Sequence, residues 1–286
     1  MPNRATVAAA LLTLYLVWGS TYFAVKVVLV ATTPLALASI RFWISGAALL
    51  AIAALTGAAR PTRREIGVSA ASGAFLFLGG NVGTVWAQTR IDSGVAALLV
   101  GVVPMWMTLI EAILERRAPS GLRGLGLGLG LAGLGLIVGI GAHVDAIGAA
   151  RMLGATAAWA VGSTIARRGG LPRSVPLATA LQMLTGAAAT TALALVFHQG
   201  VDLGAVDRRV GFAFLWLVGL GSLVAFPTYG WLLREVSPAL ATSYAYVNPL
   251  VAVAIGWAIG GEALTWNVAA GGALVVAAVA VLSRAR

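Results

Sequence analysis

The hydrophobic pattern of this chain is a series of long apolar runs separated by short polar breaks. A membrane-crossing helix needs about 20 mostly apolar residues. That ruler predicts helices at 6–29, 34–56, 66–88, 93–114, 122–142, 148–168, 175–197, 211–233, 237–259 and 264–283. The breaks hold proline, glycine or charge, as in ATTP at 31–34, RPTRRE at 60–65, ERRAPSG at 115–121 and RRGGLPRS at 167–174. They are too short for an extramembrane domain. The first run resembles a signal peptide, but a cleaved signal has an apolar core of only about 7–15 residues. This run extends to Val30, so a retained first helix is predicted.

Composition points the same way. Apolar residues make up 60% of the chain and charged residues 10%, against roughly 25% charged in a soluble domain. The 36 glycines suit helices that pack closely in lipid. A net charge of +10 raises nucleic acid as a partner, but binding it needs a clustered basic patch, and these charges lie in small groups between apolar runs. The positive-inside rule accounts for them better. Of the 19 basic residues, Lys26, Arg90, Arg151, Arg208 and Arg209 fall in one set of alternate loops and Arg41 falls inside the second run. The other thirteen, from Arg4 to Arg286, fall in the opposite set and the termini, which predicts cytoplasmic termini. Cysteine is absent, which excludes disulfides, thiolate metal sites and cysteine nucleophiles.

The chain also repeats itself. Trp18 and Lys26 have the spacing of Trp159 and Arg167, at an offset of 141; Pro104 and Pro249 lie mid-span at an offset of 145; Glu115 and Glu262 end the same spans at an offset of 147. Each repeat is therefore five helices long, and an odd number of spans forces the second copy to cross in the opposite direction. The predicted fold is an all-α membrane protein of ten transmembrane helices in two inverted five-helix repeats, residues 1–143 and 144–286. Inverted repeats are a transporter architecture, with the substrate site near the midplane between the halves.

The stretches WGSTYFAVK at 18–26, PLALASIRF at 34–42 and SGVAALLVGVVP at 93–104 resemble the first half of a ten-helix drug/metabolite transporter. SPALATSYAYVNPLVAVAIGWAIGGEALT at 237–265 resembles the second-half motif of the EamA-domain branch. The resemblance covers essentially the whole chain. It implies a multi-pass exporter of small metabolites in the bacterial inner membrane, with amino acids as cargo in the best-known relatives. Members also handle sugars, nucleotide derivatives and cations, so family membership does not fix the substrate. Export of aromatic or cationic drugs is the alternative.

Candidate substrate contacts are aromatic or polar residues near mid-span. Trp86 and Trp266 fall at headgroup depth, where tryptophan normally sits, whereas Trp18, Trp106 and Trp159 fall deeper. They either line a cavity or are ordinary core or lipid-facing aromatics. Tyr22 shares a face of the first helix with Tyr15 and Trp18. Asn81, Gln88, Tyr229, Tyr244, Tyr246 and Asn248 are costly against lipid, so each faces a cavity or a neighbouring helix. Tyr244 and Asn248, four apart, share one face. The expected cavity lining is Trp18, Tyr22, Asn81, Trp159, Tyr229, Tyr244 and Asn248. Arg41, inside the second span, either holds a carboxylate or caps a neighbouring helix.

Gating candidates follow from the repeat. Pro104 and Pro249 free the carbonyls of Val100 and Ala245 and are expected to act as paired hinges. Lys26 with Glu262 at the outer face, and Arg167 with Glu115 at the inner face, are expected to alternate as latches; snorkelling side chains give the same pattern. Gly128, Gly130 and Gly133 spell G-x-G-x-x-G inside an apolar span, where helix packing explains them better than a dinucleotide site, which needs a preceding strand. In the resembled family, helices 5 and 10 buttress the core rather than line the pathway.

Other classes fit less well. His143 and His198 lie near helix ends, and no constellation for catalysis appears, so neither an enzyme nor a bound cofactor or metal is expected. A retinal protein is disfavoured because Lys26 is the only lysine. Channels usually build pores from oligomeric rings, whereas the repeat here is internal. Glu111 is the only acid within a span and lies near its inner end, so facilitated efflux is expected rather than proton coupling. The expected partners are a small-molecule substrate and the lipid bilayer, with no nucleic acid, in a monomer or homodimer.

Overall fold

The computed structural model describes residues 3–116, 121–138, 144–236, 238–241 and 243–284. Arg117, His143 and Arg286 lie outside them, and so do the side chains of Arg123 and Tyr246. Among the described residues, regular structure is helical apart from an isolated bridge between Thr32 and Val201.

The chain runs through α1 (Arg4–Val28), α2 (Pro34–Leu55), α3 (Arg63–Ala87), α4 (Ser93–Glu115), α5 (Gly121–Val138), α6 (Ala146–Arg168), α7 (Val175–Val196), α8 (Arg208–Glu235), α9 (Tyr244–Ala258) and α10 (Trp266–Arg284). Six of these, α1 to α4 with α7 and α8, are long and apolar enough to cross a membrane. A 22-residue helix such as α2 spans about 33 Å, the thickness of a bilayer core. Helix α6 is as long but more polar, because it runs through the interior against α3 and α4. Outward-facing residues are apolar: Leu55 is 88% exposed and Phe212 73%, positions that lipid rather than water can cover.

Short polar residues at the breaks start the helices. Asn3 accepts from the Ala5 amide, Thr62 and Glu65 form a reciprocal capping box, and Asp145, Ser174 and Asp207 cap α6, α7 and α8, satisfying amides that the first helical turn leaves free. Two interruptions were not visible in the apolar pattern. Helix α3 widens to π-helical geometry over Ala74–Val82, and α8 does so over Gly219–Val224. The predicted span 237–259 divides into a short helix, Pro238–Ala241, followed by α9.

Helices α2 and α7 pack along each other, and so do α5 and α10. Gly133 of the G-x-G-x-x-G stretch serves that second contact, since a side chain there would meet the Gly271 carbonyl at 2.7 Å, whereas one on Gly130 would strike Met105 of α4. The remaining helices surround the centre. Helix α1 runs from Arg4 towards Lys26, which pairs with Asp92 at the start of α4. Helix α6 starts at that same end, where Arg90 pairs with Asp145, and finishes at Arg168 beside Glu115. Thus α1 and α6 run in opposite directions.

Candidate functional site

Halfway along α1, Trp18 is the hub of an aromatic cluster. Its ring centroid lies 5.0 Å from Tyr244, 5.2 Å from Tyr229, 5.3 Å from Phe226 and 5.8 Å from Trp159. Most contacts are edge-on or tilted, as the ring quadrupoles favour. The cluster joins α1, α6, α8 and α9. The wide turn of α8 assists, because the Gly221 carbonyl accepts the Trp18 indole N–H at 3.4 Å; a π-helical turn leaves such carbonyls available.

This cluster divides two cavities. One, of about 80 Å³, is lined by Trp18, Tyr22 and Tyr244 together with Arg41, Asn81 and Gln88. The other, of about 310 Å³, lies towards the Arg167 end and is lined by Tyr229, Arg167, Gln182 and Arg234 among others. Trp159 and Phe226 belong to both walls. Among the described residues, none of α5 or α10 lines either cavity.

Beyond the smaller cavity, the Lys26 end is tied together by charge. The Lys26 ammonium pairs with Asp92 and lies 3.1 Å from Glu262. Glu262 also accepts from the Ser93 amide at 3.0 Å, the Ser93 hydroxyl at 2.7 Å and the Gly94 amide at 3.1 Å. It therefore caps α4 from the α9–α10 connection, where an anion also meets the positive end of the helix dipole. Burial alone would raise the Glu262 pKa, but the bonds from Ser93, Gly94 and Lys26 outweigh it and hold the carboxyl below its usual range.

The Arg167 end is looser. Arg167 lies 3.6 Å from Glu111, and Arg168 lies 4.0 Å from Glu115. The expected Arg167–Glu115 pair is thus replaced by two shifted pairs: Glu111, one turn earlier on α4, stands level with Arg167. Arg234 bonds to the carbonyls of Pro172 and Arg173 rather than to an acid.

Most of the remaining candidates fall at the centre. Trp18, Tyr22, Asn81, Trp159 and Tyr244 line the smaller cavity, and Tyr229 the larger. Asn248 lines neither. It is 1% exposed, and its amide, in the orientation that satisfies both groups, donates to the carbonyls of Tyr15 and Tyr244 at 3.2 Å. It ties α9 to α1, where Gly19 lets Val251 approach. Trp106 donates to Thr156 at 3.0 Å. Trp86 and Trp266 are exposed at 46% and 81%, as an interfacial belt requires, and Arg151 stacks on Trp86 at 4.8 Å. Pro104 follows a break in α4 at Gly101–Val102, whereas Pro249 lies inside the unbroken α9. Sequence reasoning missed Phe226 and Asp92. An Asp immediately before a helix start is read as a cap, yet the Asp92 side chain makes no cap bond and turns to Lys26.

Known proteins match this architecture. The EamA-like transporter family matches residues 6–139 and again residues 146–284. "Uncharacterized inner membrane transporter YedA" of Escherichia coli strain K12 is 37% identical over 260 residues, covering 90% of this chain and 83% of that protein. "Probable terminal-alkyne amino-acid exporter" of Streptantibioticus cattleyicolor is 25% identical over 276 residues, covering 96% and 92%. A solved crystal structure superposes with a TM-score of 0.70 at 20% identity, covering 98% of this chain and 96% of that one, which shows a shared fold. With an all-helical fold, membrane-length apolar helices and a family match across both halves, the chain belongs to the EamA-like transporter family and is a membrane transporter.

Proposed function

We propose that this protein exports amino acids, with broad tolerance for their side chains, across a bacterial inner membrane by alternating access. In this reading residues 1–143 and 144–286 are inverted five-helix halves, and both termini are cytoplasmic. The observation that carries it is the aromatic partition between two cavities, with one end of the molecule tied and the other loose.

Several contacts support the inverted arrangement. The family matches the chain twice, α1 and α6 run in opposite directions, and α2 meets α7 as α5 meets α10. Trp18 touches the wide turn of α8 at Gly221, and Trp159 touches the wide turn of α3 at Gly80. Both the tryptophans and the glycines are 141 residues apart. Export of an amino acid is supported by the Streptantibioticus cattleyicolor relative and by a cavity that combines rings with amide groups. The aromatic wall alone would also suit a cationic drug, but Arg41 lines the same cavity and repels a cation. The acids within the described helices, Glu65, Glu111, Glu115 and Glu235, all lie near helix ends, which supports facilitated transport over proton coupling.

Counterflow into proteoliposomes tests the proposal. Preloaded amino acids should drive uptake of labelled amino acid, while sugars and quaternary cations should not. Counterflow with quaternary cations but not with amino acids would replace this reading with drug efflux.

A further inference from the structure

Arg41 is a cation in the middle of a membrane protein, and among the described residues no acid answers it. It is 3% exposed. Its Nε donates to the Ser222 hydroxyl at 2.7 Å, and Nε is the only guanidinium nitrogen with a hydrogen bond to a described residue. Among the described residues it forms no ion pair. The rings of Phe42 and Phe226 flank its Cζ, with centroids at 5.4 and 6.0 Å. One anchored nitrogen and two rings fix the plane of the guanidinium and leave its other N–H groups without a partner on the edge of the cavity.

A second group on the same cavity is also unmet. Gln88 is 4% exposed, and neither its amide nitrogen nor its amide oxygen has a partner. Each unmet buried group is destabilising, and an uncompensated buried charge more so. Ser222 shows that the fold can supply a partner here, yet it supplies one neutral hydroxyl and no acid. A protein that leaves a fixed cation and an amide unmatched beside a cavity of rings has the complement of a small anion with an apolar body.

We infer that Arg41 is the specificity-determining residue of this transporter, a bidentate anchor for a substrate carboxylate, with Gln88 as the second polar contact. The inference rests on the transport reading above and narrows it. The cargo is a monocarboxylate whose apolar part meets Trp18, Tyr22 and Tyr244. An α-amino acid fits, because its ammonium meets the Gln88 oxygen and the ring faces while Arg41 takes the carboxylate. Amides, esters and quaternary cations lack the group that Arg41 requires. The planar fork of arginine matches a carboxylate through two parallel bonds, which lysine does not reproduce.

The test is thermal unfolding of the purified full chain with matched probes: L-leucine, L-phenylalanine, isovalerate and 3-phenylpropionate, each against its own primary amide. The acids should bind about 10- to 100-fold more tightly than the amides. That discrimination should vanish in Arg41→Gln and survive in part in Arg41→Lys. The empty Arg41→Gln protein should melt at a higher temperature than the wild type, since an unmatched buried cation has gone. An arginine with a purely structural role predicts the reverse. Equal binding of acids and amides by the wild-type protein, or undiminished discrimination in Arg41→Gln, overturns the inference. Counterflow of the same probes separates the two proposals. Equal transport of acids and amides sinks the Arg41 assignment and leaves transport standing. Carboxylate binding without counterflow sinks the transport reading and leaves the anchor standing.

Discussion

At the Lys26 end, one carboxylate collects four donor groups from two helices: the Lys26 ammonium, the Ser93 amide and hydroxyl, and the Gly94 amide. At the Arg167 end, the corresponding glutamate, Glu115, reaches only Arg168 among the described residues, at 4.0 Å, and Arg167 reaches Glu111 at 3.6 Å. The two ends are built from residues in matching places of the repeat, yet one is a lock and the other a loose pair of charges. The cavities differ in the same sense, about 80 Å³ behind the lock and about 310 Å³ behind the loose pair. Charge-assisted bonds to a half-buried carboxylate contribute about 1.5–3 kcal/mol each, whereas partly exposed pairs contribute about 0–1 kcal/mol. Under the alternating access proposed above, the comparison teaches that the state described here is held at the Lys26 end, and that the energy which must be spent to reverse it sits around Glu262.

The sharpest way to break that asymmetry is Glu262→Gln. It removes the charge from every bond at once and leaves Lys26 with Asp92 alone. In a Thr84→Cys background, labelling from the Lys26 side by a membrane-impermeant maleimide should rise about 10- to 100-fold, and an unchanged rate would remove Glu262 from the lock. Lys26→Ala should act in the same direction but less strongly, since the Ser93 and Gly94 bonds survive. Mild acid should not imitate Glu262→Gln. A carboxyl held below its usual range keeps its charge, and the lock its strength, until the pH falls through that lowered value. Relative to the same thiol in the unfolded chain, which corrects for the loss of thiolate on acidification, labelling should therefore stay flat down to about pH 5, above the ordinary glutamate value near 4.3.

A smaller effect on the same lock should follow from Gly256→Ala. A side chain on Gly256 would collide with the Glu262 carboxylate and approach the Ser93 hydroxyl at 3.2 Å. Overpacking of this kind typically costs about 1–3 kcal/mol, so labelling should rise roughly tenfold, with every charge in place. If it does not, the connection that carries Glu262 is more adaptable than its contacts indicate.

Much of this was legible in the residues, and the exceptions have physical reasons. Apolar run length located most helices, because the length needed to span a membrane is a local property of the chain. The offset of Trp18 and Trp159 led to the aromatic centre, and the Lys26–Glu262 pair formed as the repeat suggested. Asn248 was misplaced because helical spacing tells which residues share a face but not which neighbour that face meets; here it meets the backbone of α1. The Arg167 partner was one turn out, a difference that sequence spacing cannot resolve when Glu111 and Glu115 lie on the same helix. The wide turns of α3 and α8 left only a faint trace, in Gly79 with Gly80 and Gly219 with Gly221, since one extra residue in a turn does not alter the apolar run. Arg41 was conspicuous as a charge, but its lack of an acidic partner among the described residues could be seen only in three dimensions.

The two prolines sharpen the comparison between halves. Pro104 opens the second segment of α4 after a break at Gly101–Val102, while Pro249 sits in continuous helix. Replacing Pro104 by Ala allows the segments to fuse by restoring a bond worth about 1 kcal/mol, which should slow counterflow about fivefold with insertion unchanged. Pro249→Ala should have a smaller effect because no break is present for it to heal. Wild-type turnover in both variants would show that neither proline is a hinge.

The smallest expected effect lies at the Arg167 end, and it tests whether the loose pair is a latch at rest. Arg167 and Glu111 have side chains 28% and 33% exposed and stand 3.6 Å apart. Arg167→Ala should therefore change labelling at that end by no more than about threefold, corresponding to about 0.6 kcal/mol. A double-mutant cycle gives the partner. In the wild-type background Arg167 should couple weakly to Glu111 and not to Glu115. In the Glu262→Gln background, where the Lys26 end is unlocked, closure of the other end would exclude water and strengthen the ion pair. An Arg167–Glu115 coupling should then emerge, the counterpart of Lys26–Glu262 in the other half. A latch that alternates must couple differently in the two backgrounds. If the Arg167–Glu115 coupling is zero in both, Glu115 has no part in gating, and the repeat of charge between the halves records common ancestry rather than a shared mechanism.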